Sequence, residues 1–476
     1  MKNQIFLIAK KELTSVIRQN SLKILFTIII VLLGFAVYGG HIAYKHQTAM
    51  VETAQKERRT EWLDQGHKHP HIAAHYGTFV FKQKTPLSLF DFGLDTYTGT
   101  SVYLEAHYPH EFMFRPAQGY GNMIRFGELS AALVLQLLLP LLIIFITFQT
   151  FTKERKTGTF KLLISQGTSI RSIYIGKVLA YFVIILVIMV PFFIGLYTVG
   201  LYETNSSVMD DIGFRTLLLF LLYIGYLWIF TNFSVWISLK ASSSRSALLT
   251  LLIFWVVTGI IIPKTSANLG ETLHPLPSMK IYKEGIQHDI ANGMAINESK
   301  EERLARLKEN YLQEYNVDSI HKLPLNFSGI EMQEGEEYAN KVYDFHEKKL
   351  HEKFELQNKT ESLMSFIAPY IAIRNLSMAI SATDWHSFND FQRKTKNYRR
   401  HLIRTMNYDT AKNSRYAEFY EYKAGRNLWE TISDFKYQAL IVTETLKYYK
   451  IELASLALWF LAILFLTPST FKSKMI

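Results

Sequence analysis

Cysteine is absent from this 476-residue chain, which excludes disulfides, iron–sulfur clusters and thiolate zinc sites. It says little about compartment, since a disulfide-free extracytoplasmic domain is ordinary. Charge is scarce where coupled transport would need it. Six apolar runs, at 24–44, 129–151, 178–201, 216–239, 246–262 and 451–467, are read as having no Asp, Glu, Lys or Arg in their interiors. Intramembrane ionisable residues usually mark proton or ion pathways, so their lack argues against a secondary transporter. A nucleotide-binding P-loop is missing as well. Gly176-Lys177 is followed by Val178, and Arg171 stands where the first glycine of that motif belongs. No internal repeat is visible.

What the chain does hold is apolar mass: 49% hydrophobic residues, with 33 Phe and 27 Tyr, an apolar balance for a soluble protein. Each run is roughly 17–24 residues, enough to cross about 30 Å of hydrocarbon as a helix. The first is too long for a signal-peptide core and lacks a small-x-small cleavage site, so it reads as a membrane helix. Segment 1–23, loop 152–177, the loop with Lys240 and Arg245, and the tail with Lys472 and Lys474 together carry 15 Lys and Arg against two Glu. By the positive-inside rule these pieces are cytoplasmic. Their net of +13 exceeds the +11 of the whole chain. The basic balance therefore reports membrane orientation, and no nucleic-acid partner is expected.

The expected fold is an α-helical membrane protein with six transmembrane helices and a large, mainly helical extracytoplasmic domain built from two insertions. In order, it has a cytoplasmic amphipathic helix at 1–23 and a first span at 24–44. Insertion 45–126 leads to a second span at 129–151, and cytoplasmic loop 152–177 to spans at 178–201, 216–239 and 246–262. The second insertion, 264–448, precedes a last span at 451–467 and a tail at 468–476. Phe6, Ala9, Leu13, Val16 and Ile17 form the apolar face of the first helix, which is expected to lie along the inner leaflet. Short strands and turns are expected around Phe79–Phe81 and 87–100. Stripes through Leu304, Leu307, Tyr311, Leu312 and Tyr315, through Tyr338, Val342 and Phe345, and through Phe388, Phe391, Tyr398 and Leu402 read as helix-packing faces. Within the spans, Gln136, Pro140, Pro191 and Asn232 could kink helices or line a path, and packing explains them equally well.

Loop 152–177 is where a separate motor would press. Gly158 and Gly167 can punctuate short helices, Glu154 falls near a helix start, and Leu162 and Leu163 offer apolar anchors. This order of parts resembles the type-2 ABC exporter permeases. Their elbow helix is similar to Ala9-Lys10-Lys11-Glu12-Leu13, and their loop between the second and third spans to Glu154-Arg155-Lys156-Thr157-Gly158-Thr159. The outer pieces resemble more closely the branch linked to multicopper-enzyme maturation, with an outer domain of unknown function. That likeness runs through 70–77, 86–97 with Asp91 and Gly93, and 104–107 with Glu105 and His107. It continues through Arg374, 376–379, Asp384, Phe391 and Arg399. One departure is Phe92, where the branch tends to carry proline.

The resemblance implies a permease subunit that is not itself an enzyme and binds no cofactor, with ATP and magnesium held by a partner ABC ATPase. Glu154, Arg155, Gly158, Thr159, Leu162 and Leu163 would then contact that ATPase, and Lys10, Lys11 and Glu12 would belong to the elbow. A second copy or a related permease, the bilayer of a bacterial inner membrane, and a periplasmic protein or lipoprotein are the other implied partners.

Histidine supports a second reading, a non-transporting scaffold or metal-delivery receptor. His67, His69, His71 and His75 are spaced for chelation, with His107 and His110 nearby. If 71–75 is helical, His71 and His75 share a face. His71, His75 and His107 also belong to the family pattern, so the sequence reading assigns no metal to them. His346-Glu347 and His351 are one residue too far apart for a zinc-protease helix motif and read as a solvated face.

Overall fold

The computed structural model describes residues 2–107, 109, 129–203, 208–294 and 298–471. His110 and the tail lysines Lys472 and Lys474 lie outside them. Among the described residues, five helices are long and apolar enough to cross a membrane: Asn20–Leu63, Ala131–Lys156, Ile170–Glu203, Ile212–Lys240 and Ser244–Leu273. A sixth candidate, Val442–Tyr448 joined to Lys450–Phe465, is bent by 80°. α1 (Lys2–Ile17) lies against the third of these helices. α2 (Asn20–Leu63) contains the first apolar run and continues unbroken for 44 residues, about 66 Å of helix. Its upper half thus belongs to the large domain, and the first insertion begins without a break.

α3 (Pro70–Tyr76) and the antiparallel pair β1 (Thr78–Phe81) and β2 (Ser101–Leu104) follow, with Phe79 opposite Tyr103. In the second span α4 (Ala131–Leu133) leads into a π-helical turn over Val134–Leu138 and then α5 (Leu139–Thr147). Pro140 causes the irregularity: it has no N–H to offer the carbonyl four residues back. That carbonyl belongs to Gln136 and instead accepts from Tyr226 OH at 3.0 Å. The fifth span repeats the device. α10 (Ser244–Val256) passes through a π turn at Val257–Ile261 into α11 (Ile262–Leu273), just before Pro263.

Between them, α6 (Thr152–Lys156) and α7 (Thr159–Ser165) form the short loop helices, and α8 (Ile170–Glu203) and α9 (Ile212–Lys240) the third and fourth spans. The second span is the most enclosed, with 67% of its apolar window buried against 22% for α2. The bundle therefore centres on α5, α8 and α9, and α2 presents a largely open apolar face.

The large domain is helical: α12 (Met279–Asn292), α13 (Lys300–Glu314), α14 (Phe327–Met364), α15 (Pro369–Ser381), α16 (Trp385–Asn413) and α17 (Arg426–Thr431). α18 (Val442–Thr445) and α19 (Lys450–Phe471) return the chain to the bundle. Local chemistry sets the starts. A capping box of Ser299 and Glu302 opens α13, and Asp384 caps α16. Val342, Phe391 and Leu402 of the three amphipathic stripes are fully buried, whereas Tyr315 and Phe345 are exposed. α15 is unlike its neighbours. Eleven of its 13 residues are buried, and Tyr370, Ile373 and Ile380 belong to the same core as the membrane helices.

The charge-free reading of the spans needs correction. Glu452, second residue of the last run, is buried and accepts from Ser362 Oγ at 2.5 Å and Asn375 Nδ2 at 3.1 Å. Lys177 and Arg215, each one residue outside a run, are buried inside α8 and α9. Neighbouring carboxylates and carbonyls at the bundle ends make these charges tolerable, as described below. His346 is likewise no solvated residue. Its Nε2 lies 2.8 Å from Asp289 Oδ2 of α12.

Candidate functional site

At the loop end of the bundle, Gly158 (φ 79°) separates α6 from α7, and Gly167 (φ 81°) closes α7. Both take the left-handed conformation that glycine adopts without steric cost. The sequence-nominated residues divide by direction. Glu154 is buried, and Arg155 points inward, its Nη2 2.9 Å from Ser238 O and 2.6 Å from Leu239 O. A guanidinium on the last carbonyls of α9 suits the negative end of the helix dipole. Phe160 is buried against Phe151, and Leu163 packs on the core. Gly158, Thr159 and Lys10 are exposed, and Leu162 stands 57% exposed.

Glu154 meets two partners that the sequence reading did not pair with it. Lys177 Nζ lies 3.0 Å from Glu154 Oε1, 2.8 Å from Glu12 Oε1 and 3.1 Å from Thr150 O. Lys11 Nζ bridges the same two carboxylates at 2.7 and 2.9 Å. Tyr181 OH closes the group, 3.1 Å from Glu12 Oε2 and 2.7 Å from Thr150 Oγ1. Two lysines thus balance two glutamates across α1, α6 and α8. Burial pushes the Glu12 carboxyl up, but Lys177 and Lys11 outweigh it and hold Glu12 below its ordinary value. Gly176 allows α1 to come close, since a Cβ there would meet Ile5 O and Ile8. Gly176-Lys177 fails as a P-loop and serves instead as the seat of α1. No local pattern marks Lys177, which in sequence looks like one more topogenic charge.

At the domain end a line of buried polar groups joins the two halves. Ser377 Oγ of α15 donates to Asp91 Oδ2 at 2.5 Å. With that proton committed, Tyr223 OH of α9 must donate to Ser377 Oγ at 2.9 Å, and it accepts from Gln136 Nε2 at 2.7 Å. The three bonds run one way through four groups and end on a carboxylate, an arrangement in which each bond polarises the next. Burial, partly offset by Ser377, pushes the Asp91 carboxyl up to about 6. Asp91 Oδ1 also accepts from Gly93 N at 3.1 Å. The side chain itself therefore closes the turn over Phe92. α15 is tied further by Arg215, whose Nη1 donates to Ile380 O at 2.8 Å while Nε pairs with Asp211 at 2.5 Å.

The remaining family-pattern residues fall into two places. Asp91, Gly93 and Arg374 line a cleft of about 1520 Å³ that also reaches Gln136, His386 and Glu452. Arg374 pairs with Glu361 at 2.5 Å. Asp384 stands beside them, accepting from Tyr449 OH at 2.6 Å. Glu105, His71, His75 and His107 gather elsewhere, around the buried Glu336 of α14. His107 Nδ1 is 2.8 Å from Glu336 Oε1, and Arg399 holds Glu336 Oε2 at 3.0 Å and Glu105 O at 2.9 Å. Burial pushes the His71 imidazole down to about 4, with His75 and His107 adding to the effect. His69 and His67 stand apart. His69 caps α3 by accepting from His71 N and packs on Phe419, and His67 lies against Gly425.

Residues 95–276 match a family model described as ABC-2 family transporter protein, and residues 282–438 match a domain of unknown function, DUF3526. The seam between the two matches falls where α11 ends and α12 begins. No curated protein matches the chain. Residues 95–276 are therefore similar to the membrane domain of ABC-2 family transporters, in a chain with several helices apolar enough to cross a membrane, and a second domain of unknown function follows.

Proposed function

We propose that this chain is the permease subunit of an ATP-driven ABC transporter whose ATPase, holding ATP and magnesium, is a separate cytoplasmic chain. The α6–α7 element carries the reading. Glycines delimit it, Glu154 and Arg155 anchor it from behind, and it presents Leu162 outward between two spans. With the basic end inside, both termini are cytoplasmic in a bacterial inner membrane, and the large domain is extracytoplasmic.

Force applied to α6–α7 reaches α8 through the Glu12–Lys177–Glu154 cluster. From the bundle it reaches the large domain through Tyr223, Ser377 and Asp91. The exposed face of α2, with Ile24, Ile28, Val31 and Phe35, is available to lipid and to a second or related permease copy. The cleft beside Asp91 and Arg374 would engage a periplasmic protein, lipoprotein or lipid.

The test is ATP turnover in lipid nanodiscs by this protein co-purified with each candidate ABC ATPase, wild type beside Leu162→Asp and Gly158→Pro. Leu162 is exposed, so its substitution leaves folding intact, and loss of the complex or of turnover control supports the reading. Failure of every candidate ATPase to bind the wild type sinks it and favours the scaffold.

A further inference from the structure

We infer that His71, His75 and His107 form a binding site for one divalent ion of the zinc or copper class, with Glu336 orienting His107. One ring nitrogen from each histidine lies within 4.8 Å of the others. His71 and His75 stand four residues apart on α3, and their Nε2 atoms are 3.1 Å apart. Two nitrogens bound to one tetrahedral ion at ~2.0–2.1 Å stand about 3.3 Å apart, so a movement of a few tenths of an ångström suffices. His107 Nδ1 is committed to Glu336 at 2.8 Å, which leaves Nε2 as its ligand atom.

A carboxylate behind a ligating imidazole is the arrangement that fixes tautomer and ring direction at metal sites. Glu336 cannot easily leave that post. Its Oε1 also accepts from His107 N at 2.6 Å, and its Oε2 is held by Arg399. The same grip keeps His107 in the left-handed conformation, φ 69°, which costs a non-glycine residue of order 1–3 kcal/mol. The His107 ring stands with its centroid 5.4 Å from that of His71 and 4.9 Å from that of His75.

The donor set selects the ion. Three imidazoles with neither thiolate nor ligating carboxylate suit zinc, copper or nickel and are poor for magnesium or calcium. His75 and His107 are exposed, so a fourth position stays open to water or to a donor from a partner. The site lies on the large domain and is independent of nucleotide chemistry.

The experiment uses full-length protein carrying a histidine-free tag, stripped with chelator, in nanodiscs. Zinc is titrated by calorimetry, and cobalt by its visible absorption. The wild type is expected to take one equivalent. His75→Ala, at an exposed position, should weaken binding more than about tenfold and abolish the cobalt band. Glu336→Gln should keep one equivalent but lose roughly 10–100-fold in affinity. His67→Ala removes a histidine elsewhere and should behave as wild type. Absence of saturable one-equivalent binding, or equal affinity in wild type and His75→Ala, overturns the site. Should Glu336→Gln fail to fold, the His75 and His67 pair decides the matter, and no outcome bears on the ATPase reading.

Discussion

Lys177 and Glu12 lie 165 positions apart in the chain and meet with Nζ and Oε1 at 2.8 Å, the lysine 1% exposed. Removing the lysine leaves Glu12 and Glu154 facing each other with only Lys11, which is half solvated. Breaking a buried pair from one side costs about 3–5 kcal/mol. Lys177→Met should therefore lower the thermal midpoint in nanodiscs sharply, while Glu12→Gln/Lys177→Met should lose less than the two single losses added together. Strict additivity would mean that the two side chains do not act as a pair.

The relay from Gln136 to Asp91 predicts coupling between the bundle and the large domain. Ser377→Ala removes the donor to Asp91 Oδ2 and should cost about 1–3 kcal/mol. Tyr223→Phe should cost less, since Ser377 keeps its own acceptor. Because the groups share one chain of bonds, the double variant should depart from additivity by at least about 0.5 kcal/mol, measured by denaturant unfolding in micelles.

Asp91 predicts a pH dependence of definite sign. Its carboxyl sits at about 6 in the fold against an ordinary 3.8, so between those values the native state holds a proton that the unfolded chain has lost. Stability then falls as pH rises through that window and levels off above it, by about 3 kcal/mol at most. Asp91→Asn should lack this component. Thermal midpoints at pH 4.5 and 7.5 should show wild type gaining on Asp91→Asn at the lower pH. Parallel profiles would contradict the burial argument.

Gly93 is fixed by space and by backbone together. It has φ 50°, and a Cβ there would run into the side chain and carbonyl of Thr383. That carbonyl accepts from Leu94 N at 2.8 Å. Gly93→Ala should destabilise by at least ~2 kcal/mol, and limited proteolysis should open the chain around 93 first. Unchanged protease resistance would show that the turn can relax.

The first resemblance rested on features that a sequence carries locally. The capping of α16 by Asp384, the left-handed turns at Gly158 and Gly167, and the shared face of His71 and His75 each involve residues within four positions of one another. The turn over Phe92, closed by Asp91 accepting from Gly93 N, is local too. Less legible was the direction in which a side chain points. Glu154 and Arg155 read as surface residues of a basic loop, yet both face inward, because α1 and the end of α9 come to rest behind them. Glu336 carries no sequence signal, and it becomes the centre of the histidine group only when α16 packs against both α14 and α3.

By itself the sequence determined that the chain carries several apolar runs long enough to cross a membrane as helices. Transfer of apolar runs out of water and backbone sterics act over a few residues, and both are written into consecutive positions. Only the tertiary structure decided which charges are buried, and with whom. Lys177 with Glu12, Asp91 with Ser377 and His107 with Glu336 are separated by 165, 286 and 229 positions. A buried charge is stable only beside a partner. Which partner it has depends on how whole helices pack, a property that no single stretch of sequence holds.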